Sequence, residues 1–221
     1  MTIEELKSKG ITSFEKVADY LSRSNTGLFF LPNNLAKLVA VLAQKNNPKS
    51  CINLNSNLGE ILSNCTEIVN KVGIDINPQN IELAKYLNPS LQFENLDPLS
   101  YNPETLFDSV ICFPPLGQRV QIEGRRVKSE QLYLTKSLQL LNEKGCAVFI
   151  VANNFLTAPA FEELRNTILG KYGLDTVISL PKGILRNTGV EMSILVVNHN
   201  KIEAAKYYKI KDNKIKKILN D

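Results

Sequence analysis

Histidine is nearly absent: His199, at the end of an expected strand, is the single one in 221 residues. Histidine-based triads and multi-histidine metal sites are therefore excluded, and no metal is expected. Cysteine is sparse as well. The four that occur, Cys51, Cys65, Cys112 and Cys146, form no Cys-x-x-Cys pair and mostly lie inside apolar runs, so reduced core thiols are expected. Long apolar runs are missing too. Those at 146–151 and 194–197 are far too short to cross a bilayer, and the first residues are charged where a signal peptide needs an apolar segment. A soluble, cytoplasmic protein with no membrane partner is expected. Charge of one sign is not abundant either: the net +4 permits a polyanionic partner without demanding one. There is no internal repeat and no low-complexity linker.

What is present is a change of rhythm. The first third reads as helical over 3–8, 13–21 and 33–44, the last with apolar residues at Leu35, Leu38, Val39 and Leu42. Beyond it, short apolar runs alternate with amphipathic stretches, the pattern of a parallel sheet covered by helices on both faces. Seven strands are expected, over 50–54, 67–74, 91–94, 109–112, 146–151, 175–180 and 193–198. Helices are expected near 59–64, 78–87, 129–141 and 159–171. No helix joins the last two strands, which allows the final one to run antiparallel. The chain divides into a helical lead-in (1–26), one α/β domain (27–200) and a basic extension (201–221), the latter a surface extension or the stub of a longer chain.

Four features point to chemistry. The run from Cys51 to Leu62 is strand, tight turn, helix, where a doubly wound sheet holds a nucleotide-like ligand. Such a turn favours glycine, yet only Gly59 is present; Asn57 is the residue able to take a left-handed backbone in its place. Asp75 ends the second strand about twenty residues beyond the turn, placed either to accept from ribose hydroxyls or to cap a helix. Asp97, after the third strand, is either a second ligand carboxylate or a turn residue. Positive charge gathers at Arg119, Arg125, Arg126 and Lys128, a loop suited to phosphates or simply to water, and again in the lysine-rich tail after Lys201, a solvated extension or a nucleic-acid arm.

The most informative stretch is Ser109-Val-Ile-Cys-Phe-Pro-Pro-Leu-Gly117, an apolar strand running into two prolines that fix φ and make a rigid corner. This order resembles the adenine-specific DNA methyltransferases, whose fourth strand ends in Asn or Asp, Pro, Pro and an aromatic residue. Over about residues 27–200 the chain is similar to the modification subunit of type I restriction systems. Gly27-Leu-Phe-Phe-Leu-Pro32 resembles its Gly-x-Phe-Phe-Thr-Pro lead-in, Lys128-Ser-Glu-Gln-Leu132 a helix start that puts Glu130 on a familiar position, and Ala152-Asn-Asn-Phe155 the end of its fifth strand. Val177 to Gly183 and Thr188 to Val197 resemble its last two strands.

The resemblance implies a class I S-adenosylmethionine-dependent methyltransferase fold, with a seven-stranded, mostly parallel sheet. It implies that Phe30, Pro32, Asn53, Asn57, Gly59, Asp75 and Asp97 surround S-adenosylmethionine. It also implies DNA as partner, with a target adenine rotated toward the corner Phe113, Pro114, Pro115, Leu116. Departures set the functional expectation. Phe113 replaces the acceptor that holds the adenine amine, Leu116 replaces the stacking aromatic, and Asn53 replaces the acid leading the turn. Loss of such a polar anchor removes about a hundred- to a thousandfold of rate. The expectation is an adenine-methyltransferase-like subunit with reduced or lost catalysis and weakened cofactor binding. It would bind DNA weakly alone, leaving sequence-specific reading to a specificity or other partner subunit. The alternative is an active DNA adenine methyltransferase.

Overall fold

The computed structural model describes residues 2–22, 31–185, 189–200 and 202–210. Helices α1 (Ile3–Ser8), α2 (Phe14–Ser22) and α3 (Asn33–Ala43) come first. Strand β1 (Ser50–Leu54) leads through a tight turn into a single 3-10 turn, Leu62–Asn64. Then follow β2 (Asn70–Asp75), α4 (Pro78–Leu87), β3 (Gln92–Asn95) and β4 (Phe107–Cys112). A hairpin of β5 (Arg119–Ile122) and β6 (Arg125–Lys128) precedes α5 (Ser129–Gln139). The chain continues with β7 (Leu141–Ala152), α6 (Glu162–Lys171), β8 (Gly173–Ser179), β9 (Met192–Asn198) and β10 (Lys206–Lys209).

The main sheet has eight strands in the order β10-β8-β9-β7-β4-β1-β2-β3. Only β9 runs antiparallel to its neighbours, pairing Cys146 with Asn198 on one side and Gly173 with Asn198 on the other. The chain order reverses between β1 and β4, which pair in parallel with Asn53 beside Ile111. That reversal opens the crevice where α/β sheets of this type bind ligands.

Burial on both faces explains the continuous apolar runs of the central strands. Along β7, Cys146, Val148 and Ile150 join the core beneath α3, with Leu35, Leu38 and Val39. Their neighbours Ala147, Phe149 and Val151 join the opposite core, with Leu134 and Leu138 of α5 and Leu164 and Ile168 of α6. A third, small cluster ties the lead-in to the rest, packing Leu6 and Val17 with Leu58 and Leu83.

The expectation of seven strands is corrected to eight. The addition, β10, lies within the lysine-rich segment read as a surface extension, and pairs in parallel with β8, Tyr207 beside Val177. All four of its residues are exposed; an edge strand is held by backbone bonds, so it leaves no burial pattern in the sequence. All seven expected strands are present, the first at its expected bounds and the rest with shifted ends. β7 begins at Leu141 because Phe107 pairs with Leu141 across an irregularity in register, and the polar Asn142, Glu143 and Lys144 hide that start. The expected helix over 59–64 shrinks to the 3-10 turn Leu62–Asn64.

Candidate active site

The turn after β1 takes left-handed backbone at three alternate residues, Asn55 (φ 60°), Asn57 (φ 50°) and Gly59 (φ 80°). Asparagine tolerates this region better than other residues bearing a Cβ, so two asparagines do here what glycines do elsewhere. The bends are fixed by Ser56 N–H donating to Ile74 O at 2.9 Å and Gly59 N–H to Ser56 O at 2.9 Å. Gly59 has a second constraint: a Cβ there would sit 2.4 Å from Cζ of Phe93.

Four polar side chains lie buried around this turn. Asp75, 1% exposed, accepts from the backbone of Asn57 at Oδ2 and of Asn77 at Oδ1, each at 2.9 Å. Burial pushes its carboxyl above the usual range, against the pull of those amides and of Asn80. Asn53 Oδ1, Ser56 Oγ and Glu60 Oε2 are shielded from solvent and have no partner among the described residues. Glu60 is the acid that the sequence reading passed over. Burial pushes its carboxyl up to about 7, while the amides of Glu60 itself, Leu31 and Leu58 act the other way. The signal for it was an acid directly after the turn glycine and directly before the apolar pair Ile61 and Leu62. The Leu31 amide donates to Glu60 Oε1 at 3.5 Å, so the segment leading into α3 reaches the turn. Pro32 is the N-cap of that helix.

Asp97 caps its own turn, accepting from Leu99 N–H at 3.0 Å and from Ser100 Oγ at 3.3 Å. It stays near the other acid, two residues past Asn95, which pairs with Asp75 in the sheet and donates from Nδ2 to the Asp75 carbonyl at 2.9 Å. The C-terminal ends of β2 and β3 therefore share one edge.

The corner after β4 is pinned from three sides. Asn55 Nδ2 donates to the carbonyl of Phe113 at 2.9 Å, tying it to the turn. Glu130 Oε1 accepts from Gly117 N–H at 2.9 Å, and Ser129 Oγ donates to Pro115 O at 2.8 Å. Phe113 itself is 3% exposed and belongs to the apolar core beneath α3, against which the partly buried Leu116 packs. It presents no acceptor.

The segment 119–128, expected as a loop, is a hairpin whose two turn residues, Glu123 (φ 48°) and Gly124 (φ 78°), both have positive φ, the turn that matches strand twist. Its register sets Arg119 opposite Lys128 and Gln121 opposite Arg126. Side chains alternate along a strand, so these four share one face, and Val120, Ile122, Arg125 and Val127 share the other. The Lys128 ammonium lies 4.6 Å from the ring centre of Phe161, which makes it a packing contact.

A sequence model of the N-6 DNA methylase family matches residues 101–219, over half of the chain. The chain belongs to that family. Among solved structures, a Vibrio vulnificus chain assigned as the modification subunit of a type I restriction enzyme is similar at a TM-score of 0.75 and 13% identity, covering 100% of this chain and 58% of that one. A type I restriction-modification methyltransferase subunit from Streptococcus thermophilus gives 0.70 and 19%, over 87% of this chain and 52% of that one. A class I S-adenosylmethionine-dependent methyltransferase from Listeria monocytogenes gives 0.74 and 15%, over 86% and 69%. The fold is thus that of the class I methyltransferases, and the chain spans little more than half the length of the two type I subunits.

The sequence-predicted residues do not all come together. Asn53, Asn57, Gly59, Asp75 and Asp97 gather at the sheet edge with Pro32 nearby, and Pro114 and Pro115 form the corner beside them. Phe113 and Leu116 turn into the core instead, and Lys128 stacks on Phe161. Phe30 lies outside the described residues.

Proposed function

We propose that this chain holds S-adenosylmethionine at the turn between β1 and β2, as type I modification subunits resembling it are expected to, and that it transfers methyl to adenine poorly or not at all. The cofactor half of this reading is supported by buried acceptors that lack donors. Asn53 Oδ1, Ser56 Oγ and Glu60 Oε2 are left unpaired among the described residues, and a buried acceptor without a donor costs about 1 to 3 kcal/mol. A ligand carrying hydroxyl and amino donors answers that need, so the residues present fit the cofactor. Asp75 keeps lone pairs beyond those its two backbone donors use, for ribose hydroxyls. Bound S-adenosylmethionine supplies an electrophilic methyl on a sulfonium. The protein's part would be to hold the adenine amine with its lone pair directed at that methyl.

The observation that carries the other half is Phe113. A buried phenyl in the core beneath α3 offers no side-chain hydrogen-bond acceptor to an exocyclic amine, so this residue cannot orient it. Arg119 and Arg126, exposed on one face of the hairpin, suit DNA phosphates. Base-specific reading falls to a partner subunit.

Calorimetric titration and radiolabelled methyl transfer test the reading together. S-adenosylmethionine should bind, and adenine-containing DNA should receive no measurable methyl under conditions where an active relative works. Robust transfer by the wild-type chain, abolished by Phe113→Ala, would overturn the reading.

A further inference from the structure

Glu60 is 6% exposed, and its two oxygens have different surroundings. Oε1 faces backbone, accepting from Leu31 N–H at 3.5 Å. Oε2 is shielded from solvent and unpaired among the described residues. The carboxylate is therefore oriented without being neutralised. No described lysine or arginine forms an ion pair with it or with Asp75; the ion pair among the described residues joins Lys182 to Glu191.

Two neutral acceptors share its situation. Asn53 is 2% exposed and stands on the same strand that feeds the turn; Ser56, also 2% exposed, lies within the turn. Oδ1 of the first and Oγ of the second have no partner among the described residues. Buried polar groups are nearly always paired, so one turn with three unpaired oxygens and an excess of negative charge describes its complement. It must be cationic, small enough to sit among buried side chains, and able to donate several hydrogen bonds. An ammonium has three donors and no acceptor. A metal ion finds no cluster of three acidic, cysteine or histidine side chains among the described residues.

We propose that Glu60 is the anionic partner of the ammonium at the amino-acid end of S-adenosylmethionine, with Asn53 and Ser56 as the neutral acceptors beside it. This assignment rests on the cofactor reading above. It makes Glu60 a cofactor-binding residue, and it places the negative charge that the family pattern carries at position 53 one turn further along the chain.

The test is calorimetric titration of the full chain with S-adenosylhomocysteine and with its desamino analogue, which differs only by the amino group. Wild type should bind the desamino compound about tenfold to a hundredfold more weakly, the range for hydrogen bonds to a charged group. In Glu60→Gln the affinity for S-adenosylhomocysteine should fall by a similar factor, while that for the desamino compound stays within about twofold, since the lost interaction has no partner there. Should Glu60→Gln fail to fold, Ser56→Ala replaces it, with a loss of about threefold confined to the amino-bearing ligand. Equal affinity of wild type for the two ligands overturns the assignment while leaving the cofactor reading intact. Equal weakening of both ligands by the variant also overturns it. Failure of wild type to bind either ligand brings down both readings.

Discussion

Phe113 and Glu60 sit on either side of one turn and break opposite rules. Phe113 is an apolar residue where a polar one was to be expected, and it is at ease: with 3% exposure in the core beneath α3, it stabilises the fold. Phe113→Asn, which on sequence grounds alone would restore an acceptor, should instead bury an amide and leave a void. The cost should be about 3 to 5 kcal/mol, read as a lower midpoint in urea, with no methyl transfer gained. Glu60 is a charged residue where an apolar one would suit. Its carboxyl is pushed from 4.5 to about 7 by burial, so the folded chain holds a proton that the unfolded chain has released. Stability is therefore greatest below the unfolded value and falls as pH rises between about 4.5 and 7. Glu60→Gln removes that loss. Its stability advantage over wild type should be near zero at about pH 4 and roughly 3 kcal/mol at about pH 8, measured by urea unfolding without ligand. An advantage that is the same at both pH values would show that the charge is not what destabilises.

At the scale of elements, the hairpin β5–β6 stands apart from the main sheet as a two-stranded sheet of its own. The sequence reading took its charges as a loop because the apolar positions, Val120, Ile122 and Val127, alternate over only four residues per strand and are not deeply buried. The register then sorts the four cations unequally. Arg119 and Arg126 share an exposed face, Arg125 lies on the opposite face, and Lys128 is drawn to Phe161. If the hairpin follows phosphates, the double variant Arg119→Ala/Arg126→Ala should weaken binding to any DNA duplex and lower the slope of log affinity against log salt by about 2. Lys128→Ala should leave that slope unchanged and lower the melting temperature instead. A slope indifferent to both arginines would remove the hairpin from the DNA surface. The turn after β1 shows the converse of the missed hairpin. Asn57 was foreseen as left-handed, but Asn55 was not, because a spacing of alternate residues is visible only once Ser56 is seen bonded to Ile74.

For the whole molecule, strands buried on both faces were legible because each prints an unbroken apolar run. The edge strand β10 was not, since none of its four residues is buried and lysines surround it. The site was legible where residue type is dictated by backbone, as at Gly59 and the two prolines. It was illegible where direction decides: no sequence pattern says that Phe113 turns inward or that Glu60 folds over its own turn. The same layered burial has a consequence for the thiols. Cys51, Cys112 and Cys146 lie on three adjacent strands, with Cys65 just past the turn, and all four are buried. Burial pushes the Cys112 and Cys146 thiols up to about 12, and the Cys51 thiol is also raised, by its hydrogen bond with Cys65 and by burial. Electrophiles attack thiolate, which is scarce here and screened by helices. Alkylation of this chain is thus gated by the parting of its central strands, so that a label left on cysteine records how often the sheet has opened.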